Sequence, residues 1–333
     1  TATMATNPLG DLVLGFSLDL HKQLVSEGGH SGNIFYSPFS ISAVLSMTLA
    51  GVRNNTAKEL SAVLHVSGDD VHNQFSDFLS KLRASTDNMK LHIANRIYAE
   101  ETIPVLDSYL SLLRDCYEST VESVDFRNDF ENVRQRINAW VEEITDSKIT
   151  GLLPKGTLSV YTTMVLVDAI YMKGLWSSPF DPSDTHRSDF HLDSRKKKEV
   201  DMMYRKRAYK MCSDEELRIT ALEVPYLGNS ASMVVVLPDD VEGLSKLEQL
   251  LTASKLANVL KNLKISIDVE LYLPKFKLEH TIDLRGTLEA MGVKDLFTSK
   301  ADFSAITHKK DVAVSDVIHK AFLEVDEKGT EAA

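Results

Sequence analysis

Asn33–Leu60, NIFYSPFSISAVLSMTLAGVRNNTAKEL, is the stretch that decides the fold. Ile34 to Tyr36 reads as a short buried strand, and Ser37-Pro38 as a helix start. A serine hydroxyl accepts from the free N–H groups of a first turn, and proline suits that turn because its missing N–H costs nothing there. Upstream, Leu9, Leu12, Val13, Phe16, Leu20 and Leu24 recur at helical spacing until Gly28-Gly29 ends the pattern. Downstream, Phe130, Val133, Ile137, Trp140, Val141 and Ile144 share one face of an amphipathic helix. The second half is strand-rich. TTMVLVDAIYM is a continuous β-branched run, as expected of a strand buried on both faces. ITALEVPYLGNSASMVVVLP reads as two strands around a turn at Leu227–Ser230, and Pro274 interrupts the alternating KISIDVELYLPKFKLEH. Helices first and strands later indicate an α+β fold, and no linker divides the 333 residues.

Composition excludes several classes. A net charge of −11 argues against a nucleic-acid partner. No apolar run is long enough for a transmembrane helix, so no membrane association is expected. The start TATMATNPLG has no signal-peptide pattern, which suits a mature secreted chain and a cytosolic one equally. Cys116 and Cys212, far apart, form neither a disulfide framework nor a zinc pattern. Asn54-Asn55-Thr56 is an N-glycosylation acceptor that matters only outside the cytosol.

Catalytic motifs are missing as well. There is no Gly-x-Ser-x-Gly elbow, His-Glu-x-x-His helix or Cys-x-x-Cys pair. GLLPKGT, residues 151–157, has a phosphate-loop glycine spacing but lacks the lysine after its second glycine, so it reads as a loop. The ten histidines show no metal-ligand spacing. The expectation is a protein that is not an enzyme and holds no metal.

The opening stretch resembles the serpin signature of strand, Ser-Pro helix start and Thr-x-x-Glu-Leu helix. The resemblance continues through RINAWVEEITDSKITGLLP, TTMVLVDAIYMKGLWSSPFDP, ALEVPYLGN, MVVVLP, LPKFKLE and VIHKAFLEVDEKGTEAA, covering essentially the whole chain in order. RNDFENVRQRINAWVEEITDSKI and ALEVPYLGNSASMVVVLPDDVEGLSKLE are most similar to secreted arthropod serpins, tick salivary ones above all. The resemblance implies a single serpin domain with three β-sheets, about nine helices and a reactive loop near the C-terminus. It implies a monomeric, secreted inhibitor. A target serine protease cleaves the loop and is held as a covalent acyl-enzyme while the loop enters the central sheet. A serpin-fold carrier or storage protein is the alternative. By the same resemblance the scissile bond and several final strands would lie beyond Ala333, so the chain is expected to be incomplete at its C-terminus.

The resemblance places the hinge of the reactive loop at Glu327, Lys328, Gly329, Thr330, Glu331, Ala332 and Ala333. Gly329 offers a permissive backbone. Strand alternation puts Thr330 and Ala332 on one face and Glu331 with Ala333 on the other; the resemblance implies that the first pair faces the interior and Glu331 the solvent. Carrier-type serpins usually have bulkier, charged or proline residues here, so the small residues favour an inhibitor. Where the central sheet parts, the breach corresponds to Trp176, Lys275 and Glu327, with a Lys275–Glu327 ion pair expected. The shutter beneath corresponds to Ser37, Ser40, Asp168 and His319. The family usually has asparagine where this chain has Asp168, and a carboxylate beside His319 would favour the imidazolium and couple sheet opening to pH.

Arg195, Lys196, Lys197, Lys198, Arg205, Lys206, Arg207 and Lys210 crowd one region of this acidic chain. They are candidates for one patch that binds a heparin-like glycosaminoglycan, the only cofactor expected, against the alternative of two solvated turns.

Overall fold

The computed structural model describes residues 8–28, 32–68, 70–84 and 89–332, so Ala333 of the expected hinge lies outside the described residues. Helices α1 (Pro8–Glu27), α2 (Pro38–Gly51), α3 (Asn54–Val63) and α4 (Val71–Ala84) open the chain. Strand β1 (Met89–Glu100), α5 (Asp107–Tyr117), β2 (Val121–Val124), α6 (Phe126–Ile144) and β3 (Met164–Leu175) follow. Next come β4 (His186–His191), β5 (Lys197–Asp214), β6 (Ile219–Pro225), β7 (Ser232–Pro238), α7 (Leu244–Leu250) and α8 (Ala253–Lys261). The chain continues through β8 (Lys264–Pro274), β9 (Phe276–Asp283), α9 (Leu284–Met291), β10 (Asp316–Val325) and β11 (Gly329–Ala332).

α2 begins as its sequence dictates. The Ser37 hydroxyl accepts from the Ser40 N–H at 3.3 Å, and Pro38 occupies the first turn. Every residue from Ser40 to Gly51 is buried, which makes α2 the central pillar of the helical layer. Ile34 to Tyr36 differs from its expected strand. The segment is half-buried and joins no ladder, and the Phe35 N–H donates to His280 Nδ1 at 3.4 Å.

The larger sheet has the order β2-β1-β3-β11-β10-β9. β3 is buried on both faces: Met164 and Leu166 meet the helical core, while Val165, Val167 and Tyr171 pack with Val133, Ile137 and Val141 of α6. The other strands form one network, β4-β5-β6-β7 with β8 beside β5, in place of two separate sheets. The reason is the length of β5. Its first part pairs with β4, its last part with β6, and β8 follows it across a bulge between Arg207 and Tyr209.

Candidate functional site

The chain turns back on itself after β10 and enters the large sheet. β11 is antiparallel to both neighbours: Thr330 pairs with Val325 of β10 and Gly174 of β3, and Ala332 with Leu323 and Met172. Below that wedge β3 and β10 touch directly and in parallel, from Val165↔Asp316 to Asp168↔His319. The hinge residues therefore occupy the upper end of a gap whose lower end is closed.

A short turn aims β11 into the gap. Asp326 Oδ1 accepts from the N–H groups of Lys328, at 2.8 Å, and Gly329, at 3.0 Å. Gly329 is needed for space rather than for a left-handed backbone. Its φ is not positive, yet a Cβ there would overlap the Gly174 carbonyl oxygen and sit 2.9 Å from Leu175 Cα. Gly174 is close-packed in turn, since a Cβ on it would lie 2.8 Å from the Tyr226 ring. Thr330 is 3% exposed and lies toward the interior. Glu331 lies on the opposite face but is not simply solvated: Tyr171 and Lys148 hold it.

Trp176, Lys275 and Glu327 do meet. The Trp176 indole N–H donates to the Asp326 carbonyl at 2.9 Å, and its ring stacks on Tyr226 with centroids 4.9 Å apart. The Trp176 N–H bonds the Lys328 carbonyl and the Phe180 N–H bonds that of Glu327, each at 2.9 Å. Lys275 Nζ lies 2.9 Å from Glu327 Oε2, and the Thr185 hydroxyl donates to Oε1 at 2.9 Å. Burial opposes the Glu327 charge, but these bonds outweigh it and hold its carboxyl below the ordinary range. The bond to Glu327 raises Lys275 in turn.

Both shifts stabilise the folded state, within a defined window. A lowered carboxyl contributes stability above its unfolded value, about 4.3, and loses it as pH falls through the folded one. A raised lysine contributes below about 10.4 and loses that as pH rises through its folded value. The pair is therefore fully effective between about pH 5 and 10. Lys275 is 37% exposed, which limits the contribution to about 1 kcal/mol. The expected result is that Lys275→Met lowers the unfolding free energy by about that much at pH 7 and by much less at pH 3. Equal losses at both pH values would contradict the ion-pair account.

Ser37, Ser40, Asp168 and His319 converge at the closed end of the gap. The Ser40 hydroxyl bonds Asp168 Oδ1, and Asn95 joins them by donating to the Ser40 carbonyl at 3.1 Å. His319 and Asp168, 0% and 1% exposed at the side chain, approach at 3.6 Å between Nδ1 and Oδ1, too long for a good hydrogen bond. His319 Nε2 accepts the Ser37 N–H at 3.1 Å. That bond assigns the ring proton to Nδ1.

The basic residues do not gather into one patch. From Lys198 to Lys210 they run along a strand about 40 Å long. Carboxylates interleave with them: Lys197 pairs with Asp189, Lys206 with Glu270 and Lys210 with Glu223. Arg205 lies over the Phe180 ring and donates to the Tyr209 hydroxyl, while Arg207 lies near the Tyr209 ring. Arg195 and Lys196 sit in the β4–β5 turn, where Asp193 accepts both N–H groups. The expected result on heparin resin is elution below physiological ionic strength, about 0.15 M. Retention well above that salt would restore the polyanion reading. Asn54 is exposed and donates to Asp302 at 2.7 Å, while Thr56 is buried. Cys116 and Cys212 are not bonded to each other.

Five members of these clusters, Asn95, Lys148, Tyr171, Thr185 and Tyr226, belong to no local motif. Gly174 carried a usable signal, because a glycine inside a strand marks a close backbone approach.

The family model described as Serpin (serine protease inhibitor) matches residues 12–333. The tick protein Ipis-1 of Ixodes persulcatus is 52% identical over 326 residues, 98% of this chain and 86% of that protein. The leukocyte elastase inhibitor of Sus scrofa is 41% identical over 325 residues, 96% of this chain and 85% of its own length. Among solved structures, emu ovalbumin (Dromaius novaehollandiae) superposes with a TM-score of 0.92 at 34% identity, covering 97% of this chain and 88% of that one.

Proposed function

This chain belongs to the serpin family, and we propose that it inhibits serine proteases as a suicide substrate whose cleaved loop enters the large sheet. The observation that carries this reading is the seat of β11 between β3 and β10, with Thr330 buried in it. A strand can lengthen there because both flanks offer edges, and main-chain hydrogen bonds supply the affinity in such strand addition. The chemistry follows from the cleavage itself. The protease serine attacks the scissile carbonyl, the amine leaves, and the loop stays esterified to the enzyme. Insertion then carries the ester away before water reaches it.

Small side chains favour inhibition over a carrier role, because each alternate residue must enter a face already close-packed by Gly174 and Tyr226. We place the protein outside the cell, in keeping with the exposed acceptor Asn54; no described helix is long and apolar enough to cross a membrane. The test is incubation of the full-length protein with a panel of serine proteases, scored on denaturing gels. A covalent band at the summed masses is expected. Cleavage of the chain by every protease, with no such band, would favour the carrier reading.

A further inference from the structure

Glu331 pairs across the ladder with Lys173 of β3 on one side and Glu324 of β10 on the other. Lys277 of β9 is the next partner of Glu324. Four adjacent strands thus carry a row of charges in the order plus, minus, minus, plus. Two carboxylates directly opposite in an antiparallel pair repel, so seating Glu331 beside Glu324 requires compensation.

The compensation comes from three donors. The Tyr171 hydroxyl donates to Glu331 Oε1 at 2.7 Å, Lys148 Nζ reaches Oε2 at 3.1 Å, and Lys173 Nζ lies 3.5 Å from Oε1. The Glu331 side chain is only 16% exposed, so these contacts are screened less than surface pairs are. Burial alone would raise its carboxyl pKa, but the donors overcome that and hold it below the ordinary range. Lys148 stands in the turn after α6, and that turn is itself tied to β10. Lys320 Nζ donates to the Thr150 carbonyl at 3.0 Å, and Lys148 Nζ lies 5.5 Å from the Phe322 ring.

We propose that Lys148 is a positioning residue that, with Tyr171, receives the Glu331 carboxylate and keeps the hinge strand seated between β3 and β10. The turn after α6 thereby controls how readily the hinge leaves the sheet. The consequence for protease trapping rests on the inhibitory reading, whereas the seating itself does not.

Hydrogen exchange at the amides of Thr330 to Ala332 tests this in the full-length protein. Lys148→Met removes the charge but keeps an apolar chain against Phe322. Exchange at those amides is expected to rise about tenfold, with other segments unchanged. Glu331→Gln should act in the same direction. The charge swap, Lys148→Glu with Glu331→Lys, should return exchange to within about threefold of wild type. Unchanged exchange in Lys148→Met would overturn the proposal. A swap that exchanges as fast as the single variants would do so too, because a role in packing alone is not rescued by reversing charges. If wild type traps no protease, the inhibitory reading fails while the exchange result still decides the latch.

Discussion

Replacing Thr330 by arginine is expected to turn this serpin from a trap into a substrate. Thr330 is 3% exposed and faces the interior beside Gly174 and Val325. An arginine there enters a buried position between Val325 and Gly174 and must either be desolvated or keep the strand out. The effective cost of burying an unpaired ion is several kcal/mol. Even about 3 kcal/mol on the insertion barrier slows it about 100-fold. Hydrolysis of the acyl-enzyme is not slowed, so the partition moves to cleaved, released serpin. The stoichiometry of inhibition should rise at least tenfold, with initial cleavage of the loop at an undiminished rate. A covalent complex formed at wild-type stoichiometry would refute the insertion reading. Thr330→Ser, small and neutral, should stay an inhibitor.

Gly329→Ala has the second-largest expected effect, through geometry alone. The added methyl meets the Gly174 carbonyl oxygen and Leu175 Cα, which are backbone and cannot rotate away. Relief needs β3 and β11 to separate, against the Trp176 N–H to Lys328 bond and the ladder itself. Overpacking of this kind costs about 1–3 kcal/mol, enough to shift the seated fraction about 5- to 150-fold. Limited proteolysis within Lys328–Ala332 should accelerate by that order. Gly286→Ala is the control. It lies inside α9 with nothing near its added methyl, and should stabilise the fold by about 0.5–1 kcal/mol. Equal behaviour of the two variants would sink the steric account.

Legibility in the sequence followed the range of the interactions. Ser37-Pro38 marked the start of α2 because a cap is a local device. The run that became β3 was visible because a strand covered on both faces must be apolar throughout. Ile34 to Tyr36 misled for the opposite reason, since a short apolar run reveals nothing about whether a ladder partner exists. β5 was hidden behind its lysines: a strand with an exposed face tolerates them, and in sequence they suit a basic patch or two solvated turns equally. The family resemblance brought Trp176, Lys275 and Glu327 together, and Asp168 with His319. It was silent on Thr185, Tyr226 and Lys148, which reach the hinge only through the packing of distant segments. Gly329 was legible in identity but not in cause, since the demand comes from Gly174 across the ladder.

The mixed direction of the strands carries one more consequence. Where β3 and β10 touch they share a single parallel ladder, the slightly weaker kind. Where β11 lies between them that one ladder becomes two, both antiparallel. Each residue that moves down the gap therefore exchanges one weaker set of main-chain bonds for two stronger sets. The gain repeats at every rung and does not depend on which side chain passes, provided it is small enough to enter. Strand direction, fixed when the chain first folds, thus favours insertion, and side chains such as Thr330 and Glu331 adjust how strongly the strand is held and how fast it enters.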